Sequence, residues 1–165
     1  MTGSRARIET AHDARDVTGE FGHRVTIDVR FADIDGMGHV NNAVYLTFCE
    51  TARIRYWSDV TGEPMLPGHD GVESLILAEA RIAYRAPVFH GEVVTVESRA
   101  THIGRSSFTL EHRLTAARPG DEARLAAVSD SVLVRYDYAA SAPIALDERF
   151  VAAMEAFEGR RLRGD

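Results

Sequence analysis

The sequence lacks most of the features that would settle its chemistry at a glance. It holds one cysteine, Cys49, in 165 residues, so no intrachain disulfide can form. A chain of this length is a soft prior for one domain, and it buries roughly 70% of the surface its unfolded form exposes, enough to fold without disulfides or a metal. No apolar run approaches the roughly 18 residues of a membrane-spanning helix, so no membrane partner is expected. An excess of basic charge is missing too: 19 Lys and Arg stand against 25 Asp and Glu, a net charge of -6. That argues against nucleic acid as a general partner, because phosphate binding needs a basic footprint. The histidines at 12, 23, 69, 90, 102 and 112 show no metal-ligand spacing. The glycines form neither a phosphate loop nor a dinucleotide fingerprint. No metal or other cofactor is therefore expected. The first sixteen residues have no apolar core of the secretory kind, which leaves the cytoplasm as the default location.

What is present is patterned. Residues 1–20 are polar and without periodicity and predict a flexible leader; 21–165 is expected to be a single domain. His23 to Phe31 alternates apolar and polar residues and predicts a half-covered strand. Asp33–Asn41 (DIDGMGHVN) has the composition of a loop. A helix should follow from about Asn42, capped by Asn41 or Asn42. Its apolar residues Tyr45, Phe48, Cys49, Ala52 and Tyr56 make one stripe, and it should run to about Val60. Glu63–Gly71 reads as a loop. From Val72 to Tyr138 four alternating runs predict four strands. In the first, Ile76, Ala78, Ala80, Ile82 and Tyr84 share a face. Arg118–Asp121 is a turn between the last two. A short helix, Asp147–Phe157, closes the chain. Strands joined by short turns pair antiparallel. A five-stranded antiparallel sheet can hide one long apolar helix only by wrapping around it, an α+β arrangement.

The stretch Val29–Leu46 (VRFADIDGMGHVNNAVYL), followed by Glu50-Thr51-Ala52-Arg53, resembles the 4-hydroxybenzoyl-CoA thioesterase-like family, in the branch with a D-x-D-x-x-G-H-V-N-N-x-x-Y loop. Tyr84-Arg85-Ala86-Pro87-Val88-Phe89-His90-Gly91-Glu92 is similar to that family's Y-x-x-P-x-x-x-G-D segment, and Gly104–Phe108 to its third-strand entry. The resemblance spans about residues 23–138. It implies the hotdog fold and a homodimer or a dimer of dimers, with sheets joined edge to edge and active sites between subunits. It also implies that the second loop aspartate, Asp35, is the catalytic carboxylate and that the helix N-terminus at Asn42 supplies a backbone N–H to the thioester oxygen. Some acyl-carrier-protein thioesterases of the family carry Asn where this chain has Met37, so a mechanism needing that Asn is not available here.

The residue chemistry agrees with that role. Thioester hydrolysis needs a nucleophile or an activated water, and charge stabilisation on the carbonyl oxygen. Asp35 can attack directly or draw a proton from water; the sequence leaves both open. Fixed N–H dipoles at a helix N-terminus suit the oxyanion. Asp33 reads as structural, accepting loop N–H groups. His39 either polarises Asp35 and orients substrate, or satisfies loop carbonyls. Asn41 and Asn42 are caps and substrate contacts, and Tyr45 packs beside the pocket as a candidate substrate contact. Arg105, Ser106 and Ser107 are candidates to hold the pantetheine or phosphates of CoA. Glu50 and Arg53 read as a surface ion pair, and Cys49 as a small core residue. The expected activity is acyl-CoA hydrolysis. An acyl-carrier-protein (ACP) substrate, or non-hydrolytic acyl-CoA binding, is the alternative; the presence of Asp35 argues against the second.

Overall fold

A computed structural model of the chain describes residues 19–65 and 73–164. All but the last two residues of the expected leader, and residues 66–71 of the expected Glu63–Gly71 loop, lie outside the described residues. The elements are strand β1 (His23–Asp28), helix α1 (Asn42–Thr61), strands β2 (Glu73–Tyr84), β3 (Val93–Ile103), β4 (Ser107–Ala117), β5 (Arg124–Asp137) and β6 (Ala142–Pro143), and helix α2 (Glu148–Glu158).

The first strand is shorter than its alternation predicts. Phe31–Asp33 forms a 3-10 turn instead, because the buried Asp33 carboxylate accepts from the Arg30 N–H at 2.8 Å and from its guanidinium at 2.7 Å. That pairing curls the chain and leaves the Phe31 ring 82% exposed. The long helix starts where expected. Asn41 is the cap, its side-chain oxygen accepting from the Ala43 N–H at 2.9 Å, and Gly62 ends the helix in a left-handed conformation at φ 74°. The predicted stripe is buried, joined by Arg53 and Trp57.

The strands form one antiparallel sheet in the order β1-β3-β4-β5-β2, with β6 adding to β5. The sixth strand, two residues long, was not expected; the chain doubles back after β5 to reach α2. Along β4 the alternation is complete: Phe108, Leu110, His112, Leu114 and Ala116 face inward and are buried. Register shifts at Leu77/Glu79, Ala100/His102 and Leu114/Thr115 help curl the sheet around α1, since an extra residue bends its strand. The first of them splits the predicted face: Ala80 and Ile82 lie opposite the buried Ser131 and Ser129, whereas Ile76 lies opposite Val134 on the other face, Leu75 packs on the core in its place, and Ala78 is exposed.

The core has two parts. Around the first half of α1, Tyr45, Phe48 and Ala52 pack with Val94, Val96, Leu114 and Ala127. Around the second half, Tyr56 and Trp57 pack with Phe108, Leu110, Leu133 and, from α2, Phe150 and Met154. Between them a polar row crosses the sheet in register: His23 opposite Ser98, Ser98 opposite His112, His112 opposite Ser129. All four are buried.

Candidate active site

The segment in front of α1 is closed by its own backbone. Ile34 bridges Val40, the Asp35 N–H donates to the His39 carbonyl at 3.0 Å and the Gly38 N–H to the Asp35 carbonyl at 3.0 Å. Gly38 sits at φ 82°, a conformation that a side chain disfavours. The loop is tied down on both sides, by Val40 N–H to the Val88 carbonyl at 2.8 Å and Asn41 N–H to the Asp33 carbonyl at 2.9 Å. Asp35 therefore stands on a fixed turn just before the helix. One of its carboxylate oxygens accepts from the Met37 N–H at 2.8 Å; no described residue donates to the other, and the side chain is half-buried.

The helix start is prepared to receive negative charge. Asn41 takes up the Ala43 N–H, while no described residue accepts from the Asn42 N–H, one of the orphan donors of a first turn. The Tyr84 hydroxyl donates to the Asn42 carbonyl at 2.8 Å, and its ring meets Tyr45 edge to face at 5.1 Å. Tyr45 in turn donates to the Ala86 carbonyl at 3.4 Å, and burial raises its hydroxyl above the ordinary tyrosine range. His39 places Nδ1 3.2 Å from the Val40 carbonyl, the geometry of a residue that satisfies its loop.

Two contributors escaped the sequence reading. Glu92, 6% exposed, is held by both terminal nitrogens of Arg124 at 2.7 and 2.8 Å and accepts from the Phe89 N–H at 2.8 Å. Arg124 also donates to the Pro87 carbonyl at 2.5 Å, so this pair fixes the segment whose Val88 carbonyl holds the Asp35 loop. The guanidinium keeps the Glu92 carboxyl below the usual range. Glu92 lies in a recognisable segment, but Arg124 carries no local signal. Tyr84 is the second: it heads the same segment, but its contact with the helix start is visible only once β2 lies beside α1.

Arg105, Ser106 and Ser107 are not brought to Asp35 within the chain. They form the β3–β4 turn, where Gly104 N–H bonds the Ser107 carbonyl at 2.7 Å and Arg135 N–H the Ser106 carbonyl at 2.8 Å. The Asp35 loop is at the opposite end of β4, an eleven-residue strand that spans roughly 35 Å. The expected Glu50–Arg53 surface pair is also not formed. Glu50 is exposed, whereas Arg53 turns inward to 5% exposure and donates to Ser131 Oγ at 3.3 Å. Cys49 is fully buried, and burial pushes its thiol up to about 11, which disfavours thiolate chemistry. Among the described residues no three or more His, Cys, Asp or Glu side chains converge as metal ligands.

The chain matches the family model of the thioesterase-like superfamily over residues 29–154. No curated protein sequence matches it. Among solved structures it is similar to a thioesterase from Thermus thermophilus, crystallised with coenzyme A and zinc, at 37% identity and a TM-score of 0.72, covering 86% of this chain and 98% of that one. It shares its fold with the 4-hydroxybenzoyl-CoA thioesterase of Pseudomonas sp. strain CBS-3, at 18% identity and a TM-score of 0.68, over 79% of this chain and 99% of that one. It likewise shares the fold of the 1,4-dihydroxy-2-naphthoyl-CoA thioesterase of Synechocystis, at 20% identity and a TM-score of 0.69, over 80% and 94%. A helix wrapped in an antiparallel sheet, a carboxylate before an open helix start and these matches lead to one conclusion: the chain belongs to the thioesterase-like superfamily of hotdog-fold enzymes and is a thioester hydrolase.

Proposed function

We propose that the substrate is an acyl-CoA, hydrolysed to free acid and CoA with Asp35 as nucleophile or general base. The observation that carries this is the pairing of a fixed, half-buried carboxylate with the unclaimed N–H of Asn42 at the start of a twenty-residue helix. The thioester oxygen would take that N–H, where the helix dipole favours developing negative charge. The Asp35 oxygen not engaged by Met37 would face the carbonyl carbon or its water. His39 and Asn41 hold the loop and cap around this centre, and Tyr45 with Tyr84 forms an aromatic wall for the acyl group. Coenzyme A bound to the 37% identical relative supports CoA as the carrier.

The working unit in this reading is a two-fold dimer. Strand β2 is the longer of the two edges of the five-stranded path, twelve residues against six for β1, with Leu77 46% and Tyr84 41% exposed; such an edge invites pairing. Antiparallel pairing of β2 with its copy would set the Asp35 end of one protomer beside the Arg105–Ser107 end of the other. Those three residues would then serve the partner's CoA. Within each protomer the working domain starts at Phe21.

Asp35→Asn tests the chemistry. The amide keeps an oxygen to accept the Met37 N–H, so the fold should stand. Single-turnover hydrolysis of acyl-CoA should fall by at least about 10²-fold. A near wild-type rate on a good substrate would remove Asp35 from the mechanism.

A further inference from the structure

The polar row through the core holds more hydrogen-bonding capacity than the protein uses. Arg53 is buried and makes one hydrogen bond, to Ser131 Oγ at 3.3 Å, with no carboxylate of the described residues at ion-pair distance. On the facing strands, His112 Nε2 and Ser129 Oγ are buried without partners. The Ser98 hydroxyl lies 2.8 Å from His112 Nδ1; when it donates there, Nε2 carries the proton. The imidazole N–H is then a donor without an acceptor, the guanidinium has only the Ser131 hydroxyl for its several N–H groups, and the Ser129 hydroxyl has at most the weakly accepting Cys49 sulfur. A buried cation lacking its counter-charge is costly, and apolar side chains would fill this layer more cheaply. The arrangement makes sense when an anionic acceptor arrives from outside.

A route leads there from the reacting end. Tyr45, Cys49 and Arg53 are spaced i, i+4, i+8 along one row of α1, ~12 Å from first to last. Beside them Tyr84, Ile82 and Ala80 share one face of β2, ~13 Å long. The two rows start together, where the Tyr45 and Tyr84 rings meet at the open helix start. They end together, where Ile82 lies opposite Ser129 and Ala80 opposite Ser131, the partner of Arg53. Ala80 and Ile82 are half-buried, Ile82 against the core, so an acyl chain entering between α1 and the inner face of β2 would replace contacts that these side chains now make. An acyl group with its thioester at the Asn42 N–H would lie along this track with its far end at Arg53.

Building on the acyl-CoA reading, we propose that Arg53, with Ser129 and His112, binds a carboxylate at the distal end of the acyl group, making medium-length carboxyacyl-CoAs the preferred substrates. The test compares kcat/KM for ω-carboxyacyl-CoAs with that for methyl-terminated acyl-CoAs of equal length. The wild-type ratio should exceed one for some medium length. Arg53→Met should lower it about ten- to a hundredfold, the scale of a charge-assisted hydrogen bond, and Ser129→Ala by a smaller factor. Ser129→Ala removes only a hydroxyl whose one recorded neighbour is the Cys49 sulfur, so it should fold and carries the test if Arg53→Met does not. A wild-type ratio of one or less at every length, or a ratio unmoved in the folded variants, overturns the proposal. Should no acyl-CoA be hydrolysed, the acyl-CoA reading fails by itself. Calorimetry with free adipate then decides: saturable binding weakened in the folded variants supports the site, and its absence, or binding matched by acetate, overturns it.

Discussion

The two ends of the sheet are built by different means. At the Asp35 end, backbone hydrogen bonds close the loop and polar pairs anchored on carboxylates, Asp33–Arg30 and Glu92–Arg124, hold its flanks. The helix start there is left uncovered. At the other end α2 closes the core: Phe150 meets Trp57 edge to face at 4.8 Å, and Tyr56 donates to Glu158 at 2.6 Å. The first end keeps donors and a carboxylate available at the cost of burial; the second gives up availability for packing. Chemistry and stability are thus separable within one small domain, and mutations at the two ends should show it.

The largest stability effect should come from the packed end. Trp57→Ala removes a ring stacked on Phe108 at 5.6 Å and should cost about 3–5 kcal/mol. Turnover per folded molecule should stay within a few-fold. Chemical denaturation alongside active-site-normalised kinetics checks this, and a large loss of kcat with intact folding would break the comparison.

At the loop end, Arg124→Leu leaves Glu92 buried without its partner. It should cost about 2–4 kcal/mol and also slow the chemical step, because the Val88 carbonyl that holds Val40 is released. Partial rescue by the double variant with Glu92→Gln would show that the stranded charge causes the stability loss.

A third measurement is of pH dependence, and it concerns the layer between the ends. Burial, with help from the Arg53 charge, pushes His112 down to about 3. An unfolded chain takes up a proton there near its ordinary value of about 6.5, while the folded chain refuses it. Stability from this group is therefore complete above that value and is lost as pH falls toward 3. Urea titrations from pH 7.5 to 4.5 should show the decline, and a folded His112→Gln variant should flatten it. A wild-type profile already flat over that range would mean that His112 titrates normally.

The smallest effect is expected at the edge of the domain. The Phe21 ring lies under the guanidinium groups of Arg99 at 4.5 Å and Arg113 at 4.7 Å. A chain starting at Phe21 should melt with the full-length protein, and one starting at Gly22 should lose about 0.5–1 kcal/mol. Equal melting of the two truncations would show that the ring adds nothing.

Much of this was legible beforehand because it depends on local repetition. A period of two along β4, a period near 3.6 from Tyr45 to Tyr56, an Asn cap at 41 or 42 and a helix end near Val60 are short-range properties of the chain. They determine by themselves one long helix among antiparallel strands, and they put Asp35 on the loop before it. The tertiary structure decided what depends on partners far along the chain. Arg53 looks like half of a surface pair with Glu50 until the curl of the sheet brings Ser131 beneath it, 78 residues away. Arg124 is one arginine among many until register sets it against Glu92, 32 residues earlier. The polar row exists only because four strands align His23, Ser98, His112 and Ser129. Local pattern says which way a side chain faces; strand register and sheet curvature decide what it meets there.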